Sequence, residues 1–254
     1  MKKVLFILLA AFAAQVSSAQ KKQLKEGFVD FSVAIKTSHL WRGLIISDKP
    51  MAAVFIKLKL NKSGSISTGF WGGMAFSNES DGTSYKEINY YLQYADNGFS
   101  IGFWNLFNTR GNENPDVWNY NKETTGHILD LRTSYNFGDS FPLSLQANVF
   151  LRGSVDGQYT HLNFEQRYST YVQVAYPLIT ASKVTVSGFV GAGLSLNGDT
   201  HIYGDGTQNF DLVNVGFTFS KTVKFGDHNL PFSVNTLWNP SVKYARVQLI
   251  AHLF

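Results

Sequence analysis

The stretch EINYYLQYADNGFSIGFW, residues 87–104, holds two runs of alternating character around a short turn. Ile88, Tyr90, Leu92 and Tyr94 alternate with Glu87, Asn89, Tyr91 and Gln93, and after ADNG at 95–98 the apolar set resumes with Phe99, Ile101 and Phe103. A period of two sends successive side chains to opposite faces of an extended chain. The stretch therefore reads as two neighbouring strands, each with one apolar and one more polar face.

The same rhythm runs on from Phe28. Alternating apolar sets span Val29–Ile35, Ala52–Leu60, Ile66–Phe76, Leu129–Tyr135, Leu143–Leu151, Tyr168–Tyr176, Val184–Leu194, Val213–Phe219, Phe232–Trp238 and Ala245–Leu253. With the two strands above, this gives about twelve, and hardly any stretch shows the 3.6-residue period of a helix. The connections carry a second regularity. Every second one is short: NKSG at 61–64, ADNG at 95–98, NFGDSFP at 136–142, PLITAS at 177–182 and KFGDHNLP at 224–231. Most of the others are longer and polar, such as SNESDGT at 77–83, TRGNENPDVWNYNKET at 109–124, SVDGQYTHLN at 154–163 and NGDTHIYGDGTQN at 197–209. Short periplasmic turns on one rim and long loops on the other are the pattern of outer-membrane barrels.

A soluble sandwich or lipocalin-like barrel would bury the apolar face and wet the polar one. Two features favour lipid instead. The strands have the length a tilted membrane strand needs, about 9–11 residues. Aromatic residues also gather at both ends of the apolar face, with Tyr94, Phe99, Tyr135, Tyr176 and Phe219 toward the turns and Trp41, Phe76, Phe107 and Trp238 toward the loops. In lipid every backbone amide needs a partner, which strands find only in a closed sheet. The expected fold is all-β, a transmembrane antiparallel barrel of about twelve strands over residues 28–254.

The amino terminus reads as a secretory signal. Lys2 and Lys3 precede the apolar run Val4–Ala14, and Ser17 and Ala19 form a small-x-small cleavage pattern, giving a signal peptide over 1–19 and a short periplasmic segment over 20–27. Export to the cell outer membrane is the expected localisation. Setting the two signal lysines aside lowers the formal charge from +4 to +2, so the basic balance does not describe a nucleic-acid binder. The chain carries no cysteine, which excludes a disulfide framework, a thiol nucleophile and a lipidated cysteine.

If the apolar set meets lipid, the polar set lines the lumen. By strand parity the interior holds Lys36, Arg42, Lys57, Arg132, Arg152, Arg167 and Arg246 against Asp30, Glu87, Asp130 and Glu165. Trp71, Tyr91, Trp104 and Tyr171 add an aromatic lumen surface, with further bulk from Tyr85, Phe150 and Tyr244. Eight strands leave an interior that side chains fill and sixteen a wide channel, so about twelve suits a narrow polar pore. Two compatible readings result: a basic wall of Arg132, Arg152, Arg167 and Arg246 orients small anionic or polar solutes, or the charges satisfy one another around Glu87, Asp130 and Glu165.

These residues also carry a resemblance. SHLWRGLIISDKPMAAVFIKL at 38–58 resembles the first hairpin of the TorF-type porins of Gram-negative bacteria, in which an aromatic-Arg-Gly ends strand one, a Ser-Asp loop comes next and a Pro opens strand two. GFWGGMAF at 69–76 and EINYYLQYADNGFSIGFW at 87–104 are similar to that family's next three strands. The likeness covers about the first third of the chain. It implies an outer-membrane barrel that conducts small solutes, supplies no established site residues, and places Arg42 as a cap at the barrel mouth.

Other chemistry finds less support. His127 stands where an outer-girdle catalytic histidine of a lipid-modifying barrel would stand, but Leu129 occupies the position two residues on where a serine would serve as nucleophile. Asp199, His201, Asp205 and Asp211 lie in and just after one loop and could bind calcium or another divalent metal, but acidic loops facing outer-leaflet sugars are ordinary, and the glycines of GFVGAGLSL at 188–196 fall inside a strand pattern. No cofactor and no enzymatic activity are expected. The expected function is an outer-membrane channel for passive diffusion of small polar solutes with a weak anion preference; the alternatives are a non-conducting accessory barrel of an envelope complex and a lipid-modifying enzyme. Its partners would be outer-membrane lipid and lipopolysaccharide. The final strand ARVQLIAHLF, 245–254, would present the signal read by the barrel-assembly machinery, although Phe254 shares its parity with Arg246, Gln248 and His252 rather than with the apolar stripe.

Overall fold

The computed structural model describes residues 27–112, 114–181, 184–226 and 228–253. The signal peptide and the direction of Phe254 lie outside them. Among the described residues the barrel strands are β1 (Val29–Lys36), β2 (Met51–Lys59), β3 (Ile66–Ala75), β4 (Lys86–Asp96), β5 (Phe99–Asn108), β6 (His127–Asn136), β7 (Ser144–Arg152), β8 (Ser169–Ala181), β9 (Val184–Ser195), β10 (Phe210–Phe225), β11 (His228–Asn239) and β12 (Tyr244–His252). Each pairs antiparallel with its neighbours in the chain, and β1 pairs with β12 to close the cylinder.

The two faces separate as the alternation requires. On β4, Ile88 and Leu92 are 53% and 52% exposed while Asn89 and Tyr91 keep 5% and 4%. Phe70, Phe103, Val174, Val190, Phe217, Trp238 and Leu249 continue the outward apolar belt. Leaving such side chains in water would forgo about 1.5–3 kcal/mol apiece; a bilayer removes that cost, so the belt marks a membrane-spanning surface. The turn between β4 and β5 is Asn97-Gly98, with φ of 48° and 81°. Positive φ at both central residues defines the type I′ turn, whose twist matches that of paired strands.

Three features depart from the sequence expectation. The ladder of β10 and β11 continues to Phe225 and His228, so most of 224–231 is strand rather than turn, as is most of 177–182. Backbone amides keep pairing past the point where side chains change character, because pairing satisfies them whatever the side chain faces. The second departure is a pair of register shifts. Leu129 faces Arg152 but Asp130 faces Phe150, leaving Leu151 as an extra residue of β7; Gly191 faces Asn214 but Ala192 faces Leu212, leaving Val213 extra in β10. A bulge reverses the parity of the residues beyond it. Val213 accordingly turns inward and is fully buried, while Leu212 and Phe210 are outward and exposed.

The third departure is the segment after β1. Rather than rising to the rim, it folds into the lumen as a ribbon of His39–Trp41 paired with Leu44–Ser47. Arg42 and Gly43 form its two-residue tip with φ of 49° and 84°, again the type I′ requirement. Because the chain leaves the wall there, β1 and β12 pair only over Ala34–Lys36 and Ile250–His252. Beyond that, Gln248 Nε2 donates to the Ser38 carbonyl at 2.5 Å and Arg246 Nε reaches Asp48 Oδ1 at 3.4 Å.

Candidate functional site

The site lies where the ribbon tip meets the inner wall. Asp130 stands three residues into β6 from the loop rim, about 10 Å along the strand, and is fully buried. Arg42 reaches it with both arms of the guanidinium, Nη2 to Oδ2 at 2.7 Å and Nη1 to Oδ1 at 3.1 Å. Arg132 Nε donates to the same Oδ2 at 2.7 Å. Two cations thus share one carboxylate, whose burial would otherwise be heavily penalised.

Aromatic rings surround both guanidinium groups. Arg42 lies 4.3 Å from the Trp41 ring centre and 5.8 Å from that of Tyr171, and its Nη1 donates to the Tyr203 hydroxyl at 3.2 Å. Arg132 lies 4.1 Å over Trp104, which stacks on Tyr91 at 4.3 Å, and Tyr91 stacks in turn on Phe55 at 5.7 Å. Burial pushes the Tyr203 hydroxyl above its ordinary pKa, so it is a neutral partner for Arg42. Gly43 closes the contact. A Cβ there would collide with the Val213 carbonyl oxygen, and the Gly43 carbonyl accepts from Tyr244 Oη at 2.6 Å and Asn239 Nδ2 at 3.1 Å. The bulge that turns Val213 inward therefore also forms the seat of the ribbon tip.

A cavity of about 330 Å3 opens beside this lock. Trp41, Trp71 and Trp104 form its apolar walls, and Arg132, Glu87 and Asn108 are among its polar groups. Glu87 accepts from Asn89 Nδ2 at 2.7 Å, Tyr85 Oη at 3.1 Å and Asn108 Nδ2 at 3.3 Å. Lys36 Nζ lies 5.6 Å from the Trp71 ring, on whose indole His39 stacks at 5.1 Å.

The residues singled out from sequence fall into two groups. Lys36, Glu87, Asp130, Arg132, Trp71, Tyr91, Trp104 and Tyr171 meet inside the barrel around the ribbon. Arg42 joins them, so it is a buried strut within the lumen and not a cap at the mouth; the ribbon fold, invisible to strand parity, moves it. Arg152 leaves the group because the bulge at Leu151 reverses its parity: it is exposed and donates to the Tyr120 carbonyl at 2.6 Å. Glu165 is exposed in an outer ribbon of Gly157–Thr160 and Asn163–Gln166, and Arg167 lies between that ribbon and β8, where its amide donates to the Asp156 carbonyl. Arg246 stays in β12, away from the lock, and bonds to Asp48.

Loop 109–126 lies against the outside of the wall. His127 is buried beneath it between Phe107 at 4.3 Å and Tyr120 at 4.4 Å, with Nδ1 accepting from Asn105 Nδ2 and Nε2 donating to the Val117 carbonyl, both at 3.0 Å. Both ring nitrogens are engaged, Nδ1 by the wall and Nε2 by the loop, so the ring pins one to the other. Of the acidic and histidine set in 199–211, only His201 and Asp211 come together, at 3.3 Å; Asp205 bonds Thr207 instead. Burial lowers the His201 pKa, against the opposing pull of Asp211, and its Nδ1 accepts from the Tyr203 amide at 3.2 Å. Sequence reasoning missed Tyr203, an aromatic in an aperiodic polar loop, and Trp41 and His39, which the ribbon carries inward.

The closed antiparallel barrel has a match among solved structures. The fold is that of an outer-membrane barrel. The COG4313 outer membrane channel from Pseudomonas putida F1 superposes with a TM-score of 0.51 and 15% identity, over 90% of this chain and 95% of that one. The translocator domain of the autotransporter NalP from Neisseria meningitidis gives 0.40 and 11%, over 96% and 94%. No family model and no curated protein matches the chain. The TorF-type likeness thus rests on the residues quoted for it.

Proposed function

We propose that this chain is an outer-membrane channel for small polar solutes, with a preference for anions, whose lumen is narrowed by the ribbon His39–Ser47. The observation that carries the reading is the aromatic-walled cavity bordered by Arg132, Glu87 and Asn108 inside a closed barrel with an apolar outer belt. Such a surface belongs in a bilayer and such an interior does not need to be there for folding alone. The TorF-type hairpin and the shared fold with a solved channel support the reading at the level of architecture. Localisation in the outer membrane, with lipid and lipopolysaccharide around the belt and assembly directed through β12, belongs to the same proposal. His127, with both nitrogens engaged, is read as a loop anchor and not as a base.

The test is single-channel current of the purified barrel in a planar bilayer. Discrete steps are expected, with a reversal potential that moves toward cation selectivity in Arg132→Gln and stays in place in Arg152→Gln, because only the former borders the cavity. Absence of steps from folded protein would instead favour the accessory barrel, a reading that the ribbon within the lumen specifically supports.

A further inference from the structure

We propose that the cavity beside the ribbon is a binding site for a small planar aromatic carboxylate that also carries a hydrogen-bond donor, the chemistry of a hydroxybenzoate. The proposal rests on the channel reading in one respect only, that solutes reach the lumen.

Four observations point to this ligand. The first is the state of Arg132. Its Nε is fixed by Asp130 at 2.7 Å and its plane is held over Trp104 at 4.1 Å, while Nη1 and Nη2 have no hydrogen-bond partner among the described residues. A guanidinium held at one edge and free at the other is preorganised to take a carboxylate. The second is an unmet donor close by. Trp104 Nε1 is buried without a partner among the described residues, on a side chain only 9% exposed. A buried N–H costs free energy unless something accepts from it, and a ligand oxygen would.

The third is the wall. Trp41, Trp71 and Trp104 line a space of about 330 Å3, at the small end of the range of roughly 300–1,000 Å3 that ligand cavities occupy; Arg132 and Tyr91 cover the faces of Trp104, so that ring meets a ligand by its edge. Aromatic rings add stacking to area burial when they meet another ring, which an aliphatic acid cannot use. The fourth is Glu87, on the same cavity. Its oxygens already accept from Asn89, Tyr85 and Asn108, and it would repel a second carboxylate. A neutral donor on the ligand, a hydroxyl or an amine, can bond to it instead. One ligand thus answers to a cation, an orphan donor, stacking walls and an acceptor.

The experiment is calorimetric titration of the folded, detergent-solubilised barrel with 4-hydroxybenzoate, benzoate, 4-hydroxybenzamide and cyclohexanecarboxylate. Saturable binding of 4-hydroxybenzoate is expected, with each of the other three weaker, because benzoate lacks the donor, 4-hydroxybenzamide lacks the charge, and cyclohexanecarboxylate lacks both the donor and the aromatic ring. Arg132→Gln should weaken 4-hydroxybenzoate by about tenfold or more, the scale of a charge-assisted hydrogen bond. Trp104→Phe keeps one aromatic ring and removes the N–H together with the rest of the indole, so it should weaken binding by a few-fold or more. Glu87→Gln should narrow the margin of 4-hydroxybenzoate over benzoate. Equal binding of all four probes, no binding, or binding indifferent to both Arg132→Gln and Trp104→Phe would overturn the proposal. Conductance measured on the same preparation separates the two claims: current steps without aromatic binding sink the site and leave the channel, while binding without steps does the reverse.

Discussion

Removing Arg42 should release the ribbon, and the size of the effect can be worked from its contacts. In Arg42→Ala the buried Asp130 loses the two bonds at 2.7 and 3.1 Å, Tyr203 loses its donor, and the guanidinium leaves the face of Trp41. Deleting one partner of a buried ion pair costs about 3–5 kcal/mol. Arg132 still bonds to Asp130, which argues for the lower end. About 3 kcal/mol is a factor of roughly 100 in an equilibrium, so the population of undocked ribbon should rise on that order. Tyr244 and Asn239 still bond to the Gly43 carbonyl, so the docked state does not vanish. The chain has no cysteine, which makes a clean assay. Val213 is fully buried beneath the ribbon tip, in the cluster against which Leu44 packs; in Val213→Cys, reaction with a water-soluble thiol reagent requires undocking. When opening is fast compared with labelling, the rate tracks the open population. The double variant Arg42→Ala, Val213→Cys should react about 100-fold faster than Val213→Cys alone, with both proteins shown to be folded by heat-modifiable electrophoretic mobility. Equal rates would refute the idea that Arg42 holds the ribbon. In an Asp130→Asn background the further effect of Arg42→Ala should shrink, since residues of one network do not act additively.

Gly43→Ala should undock the same ribbon by more than about 1 kcal/mol, since alanine is poorly accommodated at positive φ and its Cβ would strike the Val213 carbonyl; the thiol assay reads it directly. His127→Ala removes one hydrogen bond and one ring contact that tie loop 109–126 to the wall, on the order of 1–3 kcal/mol, so trypsin should cut faster at Arg110 and Lys122 while conductance is unchanged, because the loop is outside the wall. His201 has its folded pKa depressed, so the neutral form stabilises the fold and that contribution is lost as pH falls below about 6.5, the ordinary value. Charging Nδ1 also breaks the bond from the Tyr203 amide. Acid should therefore loosen loop 196–209, seen as a lower protection factor of the Tyr203 amide after division by its intrinsic exchange rate at each pH, and His201→Gln should remove that loss of protection.

Much of this is readable in the chain. Ile88, Tyr90 and Leu92 against Asn89 and Tyr91 fix which face meets lipid, because a period of two leaves no other choice for a paired strand, and the strands after β1 obey the same rule. That parity alone places Trp104 and Asp130 inside. Where parity fails, it fails at single extra residues. Leu151 sends Arg152 outward and Val213 turns inward, and no local signal distinguishes a bulged residue from a regular one.

The sequence by itself determined the barrel, its strand order and its apolar belt, since alternation and turn chemistry are local properties of the chain. Tertiary structure alone decided that WRG folds back into the lumen. That outcome depends on Asp130, Val213, Tyr203 and Asn239 meeting the ribbon tip from elements 88 to 196 residues away. A guanidinium seeks a buried carboxylate and a glycine a close backbone wherever the closed cylinder brings them, and the closure of the cylinder is not written at either end of those contacts.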